Sequence, residues 1–439
     1  MFKTLKNAWR IPELKKKLLF TLLIVVLYRL GANIPVPYVD PAVFQSANAV
    51  AGGTILTFLN MLSGEALGKA TLLALGVSPY ITASIVIQLL TIAIPVLERW
   101  SKDGENGRKK ITALTRMITV VLALITSIGY AFYLNNGGLL ILDAPNFFQY
   151  AVIVLCYCAG AALVMWMAEK INESGIGNGI SIILFANIIA GAFTMVETIW
   201  ANIFTASGFR PLGLVFSIIE IIVLIGMIML IVWMSDAERR IPIQYAKRVV
   251  GRKMYGGQNT NLPLKVNMSG VMPIIFANSI VAILPTIASF IANRNPKSGF
   301  VTFVNNWFSP TTWPYLIVFF VLLIAFAYFY VAISFNPIEV ANNIKNNGGA
   351  IPGIRSGRPT VEFIKKVLNR ITLVGALLVA LIAVFPMILN IIAGYFGSTA
   401  FLSLAFSGSS MMIVVGVALE TVRELEAQMS LRNYKGFLD

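Results

Sequence analysis

The chain has 439 residues, of which 57% are hydrophobic and 12% are charged, and its mean hydropathy is +0.80. This composition indicates a polytopic membrane protein and excludes an ordinary soluble domain. The formal net charge of +15 would fit a nucleic-acid-binding protein only if the basic residues were gathered on one surface.

The N-terminal stretch, Met1 to Lys17, mixes apolar side chains with six basic residues. This pattern is typical of a helix that lies on a cytoplasmic leaflet and binds anionic lipids, although a solvated tail would explain it equally well. The apolar run that follows, 18–34, lacks a small-residue cleavage site after it. It is therefore predicted to be a retained first span rather than a signal peptide.

The hydrophobic pattern is broken in two between Thr54 and Pro95. Residues 54–70 are apolar enough to be helical, but they are too short and too interrupted by polar side chains to cross about 30 Å of hydrocarbon. Residues 72–96 then run without a charged residue and are long enough to cross. A half-segment that leads into a full span indicates irregular backbone at membrane depth, which is tolerated only inside protein or beside a water-filled cavity.

Ten apolar runs are predicted to span the membrane: 18–34, 72–96, 117–134, 147–168, 176–196, 212–234, 271–291, 313–335, 371–392 and 401–422. Of the 34 lysines and arginines, 29 lie in alternate segments outside these runs, beginning with the segment before the first run. Because basic residues concentrate on the cytoplasmic side of short loops, both termini and the basic loops are predicted to be cytoplasmic.

The ten runs divide at the external connection 200–211 into two sets of five. Because five is odd, two related halves would be inverted about an axis in the membrane plane. The sequence thus predicts an all-α polytopic membrane protein with ten transmembrane helices in two five-helix halves, 1–199 and 212–422, and a cytoplasmic tail, 423–439.

Two cytoplasmic loops, 235–270 and 336–370, are longer than their connections require. In the first, Ile241, Ile243 and Tyr245 alternate with polar residues ahead of two glycines, which predicts a hairpin that projects from the membrane. Such basic protrusions are suited to docking on ribosomal RNA or an acidic protein face. Simple positive-inside anchoring explains the charge without a partner.

Catalytic motifs are missing from the sequence. The chain has no histidine, no phosphate-loop motif and no HExxH motif, so we expect neither an enzyme nor a cofactor nor a metal site. The glycines of 175–179 resemble a phosphate cradle, but no strand precedes them and they are predicted to begin a helix. Arg29 and Glu220 are the intramembrane charges that an ion-coupled transporter of a small solute, the alternative function, would need.

Two stripes of aliphatic and small polar residues lie at helical spacing. They are Val77, Ile81, Ser84 and Gln88 in the second run, and Ile275, Asn278, Ser279, Ala282 and Thr286 in the seventh. The stripes fit the walls of a pore, and ordinary packing between helices would explain them as well.

Four stretches of the chain closely resemble the SecY family of bacterial protein-conducting channels: ALGVSPYITASIVIQLLT (74–91), GIGNGISII (175–183), YAKRVVGRKMYGGQNTNLPLKVNMSGVMPIIFANSI (245–280) and PGIRSGRPT (352–360). The resemblance runs in order along essentially the whole chain. It implies a passive channel with a central hourglass pore that moves unfolded secretory polypeptides across the plasma membrane. It also implies the lateral release of transmembrane segments into lipid.

The resemblance further implies four groups of site residues. A plug in 54–70 would contain Phe58, Asn60, Met61, Ser63, Gly64 and Leu67, with a hinge near 71–76. A pore ring would contain Val77, Ile81, Ile180, Leu184, Ile275 and Ile413. A lateral gate between the second and seventh spans would contain Thr82, Gln88, Ser279 and Ile283. Docking positions would be Arg252, Lys253 and Arg355. The implied partners are the SecE and SecG membrane subunits, the SecA motor ATPase, the ribosome, and signal peptides and nascent chains.

Overall fold

The computed structural model describes residues 2–39, 63–64, 66–136, 140, 147–205, 208–209, 211–245, 248–250, 253–255, 259–292, 298–308, 312–395 and 408–435. These residues are mostly helical. The helices are α1 (Phe2–Arg10), α2 (Pro12–Gly31), α3 (Ser78–Ala93), α4 (Pro95–Lys102), α5 (Gly104–Asn136), α6 (Phe147–Ser174), α7 (Gly179–Ile203), α8 (Pro211–Asp236), α9 (Met272–Ala292), α10 (Gly299–Trp307), α11 (Trp313–Ser334), α12 (Pro337–Asn346), α13 (Arg358–Tyr395) and α14 (Gly408–Lys435). The strands are β1 (Phe204–Thr205), β2 (Gly208–Phe209), β3 (Glu238–Tyr245), β4 (Arg248–Val250), β5 (Lys253–Tyr255), β6 (Asn259–Lys265) and β7 (Gly349–Ala350).

Each predicted apolar run overlaps one long helix: α2, α3, α5, α6, α7, α8, α9, α11, α13 or α14. Within the described ranges, five stretches of helix are long and apolar enough to cross a membrane, and they involve α5, α6, α8, α11 and α13. α3 and α4 reach that length only as a pair, with a bend of 102° between them. The helix of the first apolar run, α2, is less apolar because its 20 residues include three lysines and Arg29. The chain is a multi-pass membrane protein.

The second apolar run forms a shorter helix than its composition predicts. Instead of one span over 72–96, α3 ends at Ala93 and α4 begins at Pro95. Ile94 between them is extended, with φ −108° and ψ 114°, because the residue before a proline is sterically disfavoured in the helical region. The composition alone did not reveal this break.

The backbone before α3 is not helical, which corrects the half-helix expected at the end of 54–70. The described residues of this stretch, 63–64 and 66–77, form turns. Gly76 has a left-handed φ of +52°, and a helix cannot continue through that conformation. The plug positions Phe58, Asn60 and Met61 lie outside the described residues.

A large cluster of buried apolar side chains holds the membrane part together. It contains residues from α2, α3, α6, α7, α8, α9, α11, α13 and α14. Tyr28, Ile183, Phe276 and Phe319 are at most 1% exposed within it. The helices that carry the predicted pore and gate positions therefore share one core.

The two long loops that the sequence predicts to be cytoplasmic fold together. β3 pairs with β6 in antiparallel register from Glu238↔Lys265 to Gln244↔Asn259, and β4 pairs with β5, which confirms the predicted hairpin. β7, from the second loop, pairs with the other edge of β3. The buried side chains of the shared cluster come from both loops: Ile241, Ile243, Leu264, Ala341, Ile344, Ile351 and Ile364. We call this three-stranded sheet with its cluster the cytoplasmic unit, after the location that the sequence predicts for both loops.

The N-terminal segment packs against the last helix. Ala8, Leu14 and Leu425 are buried in one small cluster, and Thr4 Oγ1 donates to Glu426 Oε1 at 2.9 Å. The segment is thus a helix docked on α14 rather than a solvated tail.

Candidate functional site

The predicted pore residues lie in one apolar cluster although they come from distant parts of the chain. Five of them are buried members with exposed fractions between 1% and 7%: Val77 at the N-cap of α3, Ile81 in α3, Leu184 in α7, Ile275 in α9 and Ile413 in α14. Ile180 in α7 is partly buried and packs against the same cluster. The site is therefore built from aliphatic side chains of α3, α7, α9 and α14.

α3 and α9, the two helices predicted to form the lateral gate, contact each other. The polar gate side chains form hydrogen bonds inside their own helices: Thr82 Oγ1 to Ser78 O at 3.0 Å, Ser279 Oγ to Ile275 O at 2.8 Å, and Gln88 Nε2 to Ser84 Oγ at 3.3 Å. These bonds would survive a separation of the two helices. The fourth gate position, Ile283, is 44% exposed.

The turn segment 66–72 is bound to the surrounding helices through its backbone. Tyr130 Oη on α5 donates to the Leu67 carbonyl at 2.7 Å, and Tyr157 Oη on α6 donates to the Ala70 carbonyl at 3.4 Å. The segment also passes very close to α6, because a Cβ on Gly160 would lie 2.0 Å from the Leu72 carbonyl oxygen. Only glycine at position 160 allows this approach.

Gly64, just before this segment, contacts α2 at a place that the sequence did not reveal. Arg29 Nη1 donates to the Gly64 carbonyl at 3.1 Å. Beside it, Asn187 Nδ2 on α7 donates to Tyr28 Oη at 2.9 Å, and both side chains are fully buried. The only signal in the sequence was an arginine within an apolar run.

Ser63 and Leu67, two predicted plug positions, are buried together with Gly64. Ser63 Oγ accepts a hydrogen bond from the Leu67 backbone N–H at 3.0 Å. The described end of the predicted plug segment is therefore a compact turn that contacts α2, α5, α6 and α7.

Two of the three predicted docking residues lie in described parts of the two long loops. Lys253 begins β5, and Arg355 is exposed in the turn between β7 and α13. Arg252 lies outside the described residues. The structure thus assigns Lys253 and Arg355 to the cytoplasmic loops but does not by itself give them a partner.

The glycine-rich stretch 175–179 begins α7, as predicted. Asn178 is the N-cap, and its Oδ1 accepts hydrogen bonds from the backbone N–H groups of Ile180 at 3.1 Å and Ser181 at 3.5 Å. Two backbone N–H groups at the start of α7 therefore bind the side chain of the helix's own N-cap residue. Among the residues that the structure describes, no group of cysteine and acidic side chains could hold a metal ion.

Comparisons with known proteins identify the family of this chain. The sequence model of the SecY family matches residues 71–422. The chain is 44% identical to the protein translocase subunit SecY of Streptomyces coelicolor and 45% identical to that of Streptomyces griseus, in each case over 100% of both chains.

Solved structures share the fold at low sequence identity. A protein-conducting channel aligns with a TM-score of 0.62 at 17% identity. A SecY protein whose plug domain is described as stabilising the closed state of the translocation channel aligns with 0.61 at 17%, and Sec61 in a canine ribosome–channel complex with 0.58 at 16%. Each alignment covers 94% of this chain and 92% of the other. The family match spans most of the chain and the relatives match it from end to end, so this chain belongs to the SecY family.

Proposed function

We propose that this chain is a passive protein-conducting channel that translocates unfolded secretory polypeptides across the bacterial plasma membrane and releases transmembrane segments laterally into lipid. The observation that carries the proposal is the meeting of Val77, Ile81, Leu184, Ile275 and Ile413 in one buried cluster beside the contact of α3 with α9. A constriction of aliphatic side chains excludes water and ions by dewetting, yet it can open around an extended chain. The channel needs no enzymatic activity of its own, because a cytosolic partner supplies the energy.

The proposed architecture has ten transmembrane helices in two inverted halves, 1–199 and 212–422, around an hourglass pore. The halves meet at the external connection 200–211, and the tail 423–439 is cytoplasmic. The overlap of each apolar run with one helix and the 29 basic residues in alternate segments support this arrangement and the cytoplasmic location of both termini.

The plug is proposed to lie in 54–70 and to close the external side of the pore. Its support is the buried turn of Ser63, Gly64 and Leu67 and the fold shared with a SecY channel that has a plug domain. The tyrosine bonds to 66–72 favour a hinge before this segment rather than in 71–76.

The lateral gate is proposed to open by separation of α3 and α9. Thr82, Gln88 and Ser279 keep their hydrogen bonds inside their helices, so separation mainly exchanges apolar contacts for contacts with lipid or substrate. An apolar segment gains free energy on entering lipid, whereas a charged residue at the bilayer centre costs about 2.5–3.5 kcal/mol. The gate can therefore sort segments without reading their sequence.

The cytoplasmic unit is proposed to dock the ribosome or the SecA motor ATPase through Arg252, Lys253 and Arg355. Exposed basic side chains attract ribosomal RNA or an acidic protein face. A solved neighbour is Sec61 in a ribosome–channel complex, which supports this role.

Further partners follow from the family and from the exposed surfaces. SecE and SecG are proposed as the membrane subunits, and signal peptides and nascent chains as the translocated partners. Anionic lipids are proposed to bind near α1, where Trp9 is exposed and Lys15 Nζ lies 5.5 Å from its ring centroid.

The alternative function, an ion-coupled secondary transporter of a small solute, is not supported. The full-length relatives are protein translocase subunits. Arg29, one of its two coupling candidates, is bound to the Gly64 carbonyl, and Glu220 is buried within α8.

A cross-linking experiment tests the channel. Ile81→Cys should form an adduct with a cysteine in a stalled secretory chain, because the chain passes the aliphatic constriction. Ile225→Cys on α8 is the control, since this side chain is 52% exposed on the surface of the chain. An adduct at position 225 without one at position 81 would refute the proposed path.

A further inference from the structure

The contact between Arg29 and Gly64 joins the first membrane helix to the end of the plug segment. Arg29 lies in the last turn of α2, and its Nη1 donates to the Gly64 carbonyl at 3.1 Å. An arginine at membrane depth is costly unless it is paired or reaches water. A hydrogen bond from a charged donor is also stronger than one between neutral groups. Arg29 therefore has a specific polar partner, the Gly64 carbonyl.

Glycine is the only residue that fits at position 64. Its φ is +66°, a left-handed conformation that side chains other than glycine rarely adopt. A Cβ there would lie 2.5 Å from Arg29 Nη1 and 3.2 Å from Asn187 Cα. The backbone of Gly64 is thus pressed directly against the arginine and α7.

The residues after Gly64 are fixed to the rest of the channel. Tyr130 and Tyr157 bind the carbonyls of Leu67 and Ala70, and the Leu72 backbone N–H donates to the Ile34 carbonyl at 2.8 Å. The Arg29 bond therefore lies at the start of the anchored turn.

We propose that Arg29 is a positioning residue that latches the plug: its guanidinium holds the Gly64 carbonyl and thereby stabilises the closed channel. This inference rests on the proposed channel function. The acceptor is a backbone carbonyl, so the latch does not depend on the plug's side chains. It requires only a cation at position 29 and a glycine at position 64.

The test measures resting ion conductance of the channel, assembled with its membrane subunits, in planar bilayers without a translocating chain. Arg29→Gln should raise the conductance about tenfold, the effect expected for loss of one charge-assisted hydrogen bond. Arg29→Lys, which keeps the cation, should restore most of the seal. Hydrogen exchange at the Leu67 amide, which is bonded to Ser63 Oγ, should become faster in Arg29→Gln and return towards the wild-type rate in Arg29→Lys.

Arg423→Gln is the control, because Arg423 Nη2 also donates to a backbone carbonyl, that of Ser235 at 2.8 Å, and in addition to Asp236 Oδ1 at 2.6 Å. This variant should not leak. Gly64→Ala should also break the bond between Arg29 and position 64, since its Cβ would displace the guanidinium. If Arg29→Gln fails to assemble, a leak in Gly64→Ala supports the latch.

Unchanged conductance and unchanged exchange in Arg29→Gln would overturn the latch, and so would an equal leak in Arg423→Gln. The proposed function is read separately, by translocation of a secretory chain through the wild-type channel. If the wild type translocates and Arg29→Gln changes neither conductance nor exchange, the latch is refuted and the proposed function stands. If Arg29→Gln speeds exchange at the Leu67 amide but the wild-type channel translocates no secretory chain, the proposed function is refuted. The structural role of the Arg29 bond then stands.

Discussion

Tyr130 Oη donates to the Leu67 carbonyl at 2.7 Å, across 63 residues of the chain. The ring of Tyr130 meets that of Tyr157 edge-to-face, with centroids 5.1 Å apart. Tyr157 in turn donates to the Ala70 carbonyl at 3.4 Å. Two neighbouring tyrosines from α5 and α6 thus bind the backbone of one turn.

Tyr130→Phe should destabilise the turn by about 0.5–1.5 kcal/mol, because the Leu67 carbonyl would lose this donor and keep only the Ala70 backbone N–H at 3.1 Å. The measurement is thermal unfolding of the assembled channel together with hydrogen exchange in 66–72. Tyr157→Phe is the paired variant and should have a smaller effect, since its bond is longer. A larger loss in Tyr157→Phe would contradict this order.

Local patterns predicted the helices but not the contacts that position the turn. Hydropathy is a property of neighbouring residues, so it located the apolar runs and the irregular stretch before α3. The bonds of Arg29 to Gly64 and of Tyr130 to Leu67 join residues that are far apart in sequence. No spacing rule relates such pairs, so the sequence did not reveal that the residues just before the hinge predicted for 71–76 are bound to α2 and α5.

A double replacement tests the aliphatic seal. Ile81→Ser with Ile275→Ser should raise resting ion conductance, because polar side chains would let water wet the constriction. The measurement is membrane conductance without a translocating chain. Ile225→Ser on the exposed side of α8 is the control and should leave the conductance unchanged. Wild-type conductance in the double variant would refute the seal.

Charge reversal tests the docking surface. Arg355→Glu should lower the translocation rate in reconstituted vesicles at least severalfold while the channel remains assembled. The reason is that the variant replaces an exposed cation with a carboxylate, which an acidic partner repels. Arg108→Glu is the control, because Arg108 is an exposed basic residue on α5, outside the proposed docking surface. The effect should shrink as salt concentration rises, since exposed charges are screened. Normal rates in Arg355→Glu would exclude this role.

A packing variant tests whether the two cytoplasmic loops form one unit. Ile344→Ala should destabilise the unit by about 2–4 kcal/mol, because it leaves a cavity beneath β3 and β7. Limited proteolysis should then cleave both loops faster, including 235–270, where no residue was changed. Ile338→Ala on the same helix is the control, since Ile338 is 59% exposed. Faster cleavage confined to 336–370 would show that the loops are independent.

The sequence predicted the hairpin of the first loop but not its partner. Alternating Ile241, Ile243 and Tyr245 indicated a strand, and β3 is that strand. The pairing of Tyr245 with Gly349 depends on how the membrane helices bring the two loops together. The break at Ile94 was readable from Pro95, but the hydrophobic composition of the run concealed it.

The shared sheet has a mechanical consequence for the gate. One residue, Ala237, separates α8 from β3, and the Val266 backbone N–H donates to the Ala237 carbonyl at 2.9 Å. Only a short stretch, 266–271, then connects β6 to α9. A load that a partner places on either loop is therefore divided among the bases of α8, α9 and α13 through the backbone. The cytoplasmic unit is thus connected by a short backbone stretch to α9, one of the two helices proposed to form the lateral gate.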